Sequence, residues 1–117
     1  MLTPESKRVL SICRQGALLH RTLPQLQAAG VTAVPAFNRD QALRLLAEQP
    51  FHAVVIGHAV PQDEQQEFVA KARRLRIPVI LLHDNGPPEI PADAFVSTAD
   101  PGRLFHLLGV AAAGNPL

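Results

Sequence analysis

The sequence predicts an α/β fold: one domain built on a doubly wound, five-stranded parallel sheet. Three observations carry this. Five short apolar runs of strand length alternate with helical stretches, at about 21 residues per unit. The inner runs are apolar at consecutive rather than alternate positions, as strands covered on both faces require. Eleven prolines and seven glycines punctuate the 117 residues, most of them between the runs.

The elements follow in order. Residues 9–13 (VLSIC) form a first strand, and Leu18, Leu19, Thr22, Leu23 and Leu26 form one face of a helix stopped near Gly30. Pro24 lies off that stripe and loosens the helix. Residues 31–36 are a second strand, and Pro35 assigns it to a sheet edge, where a missing N–H is tolerated. Asn38 reads as an N-cap, with Gln41 three residues on and Phe37 placed to staple onto Ala42. That helix runs through Leu43 and Leu46 to Pro50. Residues 53–56 (AVVI) are a third strand, closed by Gly57.

Pro61 opens the next helix, with Phe68, Val69, Ala72 and Leu75 on one face. Its acids (Asp63, Glu64, Glu67) come early and its bases (Lys71, Arg73, Arg74, Arg76) late, matching the helix dipole. The simplest reading of the basic cluster is a solvated, dipole-matched face rather than a phosphate site. Residues 78–82 are a fourth strand and 94–97 a fifth. Asp100 caps a last helix with Pro101 at its first position, and Leu104, Phe105, Leu108 and Ala111 or Ala112 line its buried side.

Composition excludes several function classes. Apolar residues make up 47% and charged residues 18%, so the chain is not a disordered tail. Eleven basic against ten acidic residues give a net charge of +1, which is no electrostatic footprint for nucleic acid or an anionic membrane. There is no Trp or Tyr, and five Phe are too few for aromatic stacking platforms. Cys13 is the single cysteine, so no internal disulfide forms. No stretch approaches the roughly 20 apolar residues of a membrane helix, and the polar N-terminus does not resemble a signal peptide. The expectation is a soluble, cytoplasmic single domain with its core in residues 6–113 and, since the chain stops soon after its last helix, no attached output domain.

From residues 7–13 (KRVLSIC) to residues 100–104 (DPGRL), the hydrophobic frame resembles a response-regulator receiver domain of the CheY-like type. Residues 53–61 (AVVIGHAVP) look like that family's third strand and the loop ending in proline, and residues 78–82 (PVILL) like its fourth strand. The resemblance implies the flavodoxin-like strand order 2-1-3-4-5. It also implies a signalling role in or beside a two-component phosphorelay, without enzymatic activity. The family's acidic pair for Mg²⁺ falls here on Cys13 and Arg14, and its phosphorylated aspartate on Gly57. Its Ser or Thr after the fourth strand falls on His83, its lysine after the fifth on Thr98, and its switch aromatic on Phe95. Acyl-phosphate formation needs a carboxylate nucleophile, which glycine lacks. Mg²⁺ needs carboxylate oxygens, for which a thiol beside a guanidinium is a poor substitute. The reading is therefore a pseudo-receiver with no cofactor and no phospho-acceptor.

Competing readings attach to the same strand ends. Cys13, His58, His83 and Asp84 are of metal-ligating type but follow no metal motif, and the ordinary reading is a half-buried thiol with solvent-facing imidazoles. Arg14 favours a Cys13 thiolate, yet there is no resolving cysteine. Arg14 and the start of the first helix can hold a small anion, although Gly16 alone makes no phosphate cradle. The alternative function is thus a small-ligand, anion or metal-binding domain using this crevice. A hydrolase lacks its Ser–His–acid pattern.

The fourth helix is expected to be shortened or replaced. Residues 83–93 include Pro87, Pro88 and Pro91, which oppose any helix longer than one turn, although a parallel crossover can still be made. The sheet face beneath would then be bare, with Val79, Leu81, Ile90 and Phe95 as a candidate interface. Ile90 is the only large aliphatic side chain available for a lid, so a second copy in a two-fold dimer is the expected cover.

Overall fold

The computed structural model describes residues 7–12, 31–84, 86 and 89–112. Cys13, Arg14, the stripe from Leu18 to Leu26, Pro87 and Pro88 lie outside these, and so do the expectations placed on them.

Five strands form one parallel sheet: β1 (Lys7–Ile12), β2 (Val31–Ala36), β3 (Ala53–Ile56), β4 (Val79–His83) and β5 (Ala94–Ser97). The described helices are α1 (Arg39–Glu48), α2 (Gln62–Arg74) and α3 (Pro101–Ala112). The spatial order is β2-β1-β3-β4-β5, as the resemblance implied. β2 is an edge, and Pro35, opposite Ser11 in the register, is exposed there.

Alternate side chains of each inner strand enter opposite cores, which explains why these strands are apolar throughout. Leu10, Ile12, Val54, Ile56, Val79 and Leu81 face α1 and α2, where Ala42, Leu46, Phe68, Val69 and Ala72 cover them. Val9, Ala53, Val55, Ile80, Leu82 and Val96 pack with Leu104, Leu108 and Ala111 of α3. Fully burying Phe68 contributes roughly 1.5–3 kcal/mol.

The caps are largely as the sequence indicates. Asn38 Oδ1 accepts from the Gln41 N–H at 2.8 Å, and Gln41 Oε1 accepts from the Phe37 N–H at 2.9 Å. The Phe37 ring is 55% exposed rather than buried as a staple, since the Gln41 amide already fixes the entry of the chain. Asp100 Oδ1 accepts from the Arg103 N–H at 3.3 Å.

α2 ends in a Schellman arrangement. The Arg76 N–H donates to the Arg73 carbonyl at 3.0 Å and the Ile77 N–H to the Ala72 carbonyl at 2.9 Å. Arg76 has φ +59°, a left-handed conformation that costs a non-glycine residue about 1 kcal/mol. The turn carries Leu75 off the buried stripe, leaving it exposed where the periodicity placed it inside, while Gln65 is buried in its stead.

The link from β4 to β5 corrects one expectation. Among its described residues there is no helix, yet the sheet is not bare. Ile90 is 2% exposed and belongs to the same core as Phe68, Val79 and Leu81. The Ala92 N–H donates to the Ile90 carbonyl at 2.9 Å, and Asp93 Oδ2 accepts from the Val79 N–H at 2.7 Å, which pins the returning chain to β4. Val79, Leu81 and Ile90 are therefore interior, not interface, and Phe95 is half-buried against this core. Ile90, with Ala92 and Phe95 packed against the same core, covers the face, and one backbone tie and one side-chain-to-backbone tie hold the segment in place. The sheet-face argument for a second copy falls with this.

Candidate functional site

In a doubly wound sheet, loops leave the carboxyl ends of the strands and form a crevice there. β3 delivers Gly57 to this end. Gly57 is buried, its N–H donates to the Ile12 carbonyl at 2.8 Å, and its own carbonyl accepts from the Val60 N–H at 3.2 Å. Gln65 Nε2, on the first turn of α2, reaches the same carbonyl at 3.4 Å. The position after β3 is thus fixed through its backbone and offers no side chain.

β4 delivers His83 and β5 delivers Thr98. The Thr98 N–H donates to the His83 carbonyl at 2.8 Å, extending the β4–β5 ladder by one step. His83 is half-buried, and its Nδ1 is buried with no hydrogen-bond partner among the described residues. His58 and Asp84 stand at the rim, with Nε2 and Oδ2 3.8 Å apart and both side chains substantially exposed.

His58, His83 and Asp84 border an open cleft of about 270 Å³, lined also by Val60, Gln62, Gln65, Leu82 and Gly86. Gly86 has φ +98°, a backbone conformation that other residues rarely adopt and that glycine allows just after β4. Val60 and Leu82 make the walls apolar, while the amide and two imidazoles supply the polar groups. Pro61 gives α2 no side-chain cap at this end.

His58, His83 and Asp84 therefore come together as the sequence indicates, while Cys13 and Arg14 lie outside the described residues. Among the described residues no group of three or more His, Cys, Asp or Glu could hold a metal ion. The receiver-type Mg²⁺ site does not fit: a carboxylate after β3 is essential to its donor set, and Gly57 provides none. Phe95, which the resemblance matches to the family's switch aromatic, is half-buried beside the α1/α2 core.

Gln65 is a cleft residue that the strand-end argument does not reach. Its signal is present in the sequence, since 65, 68, 69 and 72 form a single helical stripe, and a glutamine on an apolar stripe must satisfy its amide inside. No helix among the described residues is long and apolar enough to cross a membrane.

No family model matches the chain, and no curated protein matches it. Solved structures do. A CheY-like response regulator receiver domain protein from Methanospirillum hungatei JF-1 superposes with a TM-score of 0.78 at 21% identity, covering 94% of this chain and 96% of that one. The signal receiver domain of an HD domain-containing protein from Pseudomonas fluorescens Pf-5 gives 0.80 at 21% identity, covering 97% and 92%. The receiver domain of a sensor histidine kinase from Pseudomonas aeruginosa PAO1, with a magnesium ion in its active-site cleft, gives 0.77 at 14% identity, covering 93% and 99%. From the strand order through the two-sided core to these superpositions, the chain has the CheY-like receiver fold.

Proposed function

We propose that this chain is a receiver-fold signalling domain that accepts no phosphoryl group and acts by contact with another protein, in or beside a two-component phosphorelay. The observation that carries the reading is Gly57, which is buried after β3 and tied through its backbone to Ile12, Val60 and Gln65. Without a carboxylate there, no acyl phosphate can form. His83 and Thr98 at the neighbouring strand ends supply neither a nucleophile of that kind nor the cation that would neutralise a phosphoryl group. The test is incubation with Mg²⁺ and acetyl phosphate, followed by intact mass. The expected outcome is no gain of about 80 Da. A gain that hydroxylamine removes would refute the reading.

One observation favours a second reading, a small-ligand site: the His83 Nδ1, without a partner among the described residues, beside a cleft that the Gln65 side chain also lines. Buried polar atoms normally have partners. Thermal-shift titration with zinc and with inorganic phosphate separates the two readings, since a saturable shift abolished by His83→Phe supports the ligand site.

A further inference from the structure

The end of α2 lies at the pole of the sheet opposite the cleft, since the chain passes from Arg74 into β4 within a few residues. Four cations stand there within six positions: Lys71, Arg73, Arg74 and Arg76. Arg73, Arg74 and Arg76 are exposed. They suit the negative end of the helix dipole, and three facts show that beyond this the fold makes no specific contact with them. The carbonyls of Lys71, Ala72 and Arg73 are already taken by the backbone N–H groups of Leu75, Arg76 and Ile77, so these side chains are not needed to cap them. Glu67, which precedes Lys71 by one helical turn, is held by Arg39 through two contacts of 2.6 Å and is not offered to Lys71. Among the described residues, no ion pair engages any of the four.

Two further features point to use of this surface. Arg76 occupies the left-handed position where glycine is the least strained residue, so a long cationic side chain stands there at a backbone cost. Leu75, exposed at 43%, sits in the middle of the cations, and only Phe37 matches it as an exposed large hydrophobic among the described residues. An exposed apolar side chain flanked along the chain by charges of one sign suits a docking patch.

We infer that the end of α2, comprising Lys71, Arg73, Arg74, Leu75 and Arg76, docks an acidic segment of a protein partner that rests an apolar side chain on Leu75. The inference deepens the proposed function by locating its protein contact, and it rests on that reading. Charge complementarity selects an acidic occupant. A single leucine offers too little apolar area for stable residence on a membrane. The chain's net charge of +1 and its lack of Trp and Tyr disfavour nucleic acid.

The test uses the full chain and a short fluorescein-labelled peptide with glutamates flanking a central leucine, read by anisotropy. The wild-type protein should bind it, weakening as salt rises. The triple variant Arg73→Glu, Arg74→Glu, Arg76→Glu should bind about tenfold more weakly or worse. Arg103→Glu on α3 should bind as wild type does. The double variant Arg73→Gln, Arg74→Gln, which disturbs no contact, should weaken binding in the same direction if the triple variant fails to fold. Absence of peptide binding by wild type, or equal binding by the variants, would overturn the inference. So would equal affinity for phosphatidylserine vesicles or duplex DNA with the same residue dependence. The acetyl phosphate assay reads the parent proposal separately, because these substitutions leave Gly57 untouched.

Discussion

Arg39, the first residue of α1, holds Glu67 of α2 through two parallel charge-assisted hydrogen bonds: Nε to Oε1 and a terminal guanidinium nitrogen to Oε2, both at 2.6 Å. The pair ties together the two helices that cover one face of the sheet. Its hydrogen bond holds the Glu67 carboxyl below the usual glutamate range and raises the Arg39 guanidinium above its own. A depressed carboxyl contributes stability that is present above the unfolded value and is lost as pH falls through the folded one. Glu67→Gln should therefore lower the urea midpoint slightly at neutral pH, and the difference should vanish in acid and shrink in high salt. The effect is small because solvent screens exposed pairs. A difference that grows as the pH is lowered would contradict this account.

Ile90 closes the sheet face where a helix would otherwise lie. Ile90→Ala should cost about 2–5 kcal/mol, and Ile90→Val about 0.5–1.5 kcal/mol. Chemical denaturation measures both. A loss under about 0.5 kcal/mol for the alanine variant would mean that the core does not depend on this lid.

Asp93 is exposed, but the Val79 N–H it accepts from belongs to a fully buried residue. Asp93→Ala strands that donor and should cost about 1–3 kcal/mol. Asp93→Asn keeps an acceptor and should recover most of the loss. Equal losses in the two variants would show that the hydrogen bond is not what matters.

Arg76→Gly should stabilise the fold by up to about 1 kcal/mol by relieving the left-handed backbone, less the entropy glycine adds to the unfolded chain. Thermal melting checks the sign. If the docking inference holds, the same variant binds the acidic peptide more weakly while melting higher, a split that a purely structural arginine would not produce.

Gly57→Asp should not restore phosphorylation. A single carboxylate would stand without the acidic pair for Mg²⁺, since the matching positions hold Cys13 and Arg14, and without a lysine at Thr98. A hydroxylamine-sensitive adduct on this variant would show that the rest of the crevice is still competent.

Most of the framework was legible because strand composition and turn residues act locally. β2 and β5 run as read, and the Asn38 and Asp100 caps are made. β1 starts earlier than its apolar run, since the backbones of Lys7 and Arg8 also pair along the ladder with Val31 and Thr32. β4 lies one residue later, beginning after Pro78 and including His83. The failures were non-local. Ile90 is one aliphatic residue among prolines, and only its ties to Ala92 and of Asp93 to Val79 make it a lid. Leu75 kept its place in the period, but the left-handed turn at Arg76 ends the helix before that place is used. In the crevice, His58, His83 and Asp84 could be placed from strand ends alone. The buried Gln65 and the orphaned His83 nitrogen depend on side-chain packing that spacing does not encode.

Pro35 has a consequence beyond marking an edge. Because it has no N–H, it cannot donate to a strand arriving from outside, so the outer border of β2 is a poor template for self-propagating sheet growth. The opposite border, β5, is only four residues long. The two borders thus resist aggregation by different means, one by a missing donor and the other by brevity. The sheet's hydrogen-bonding capacity is turned inward, and recognition is left to side chains.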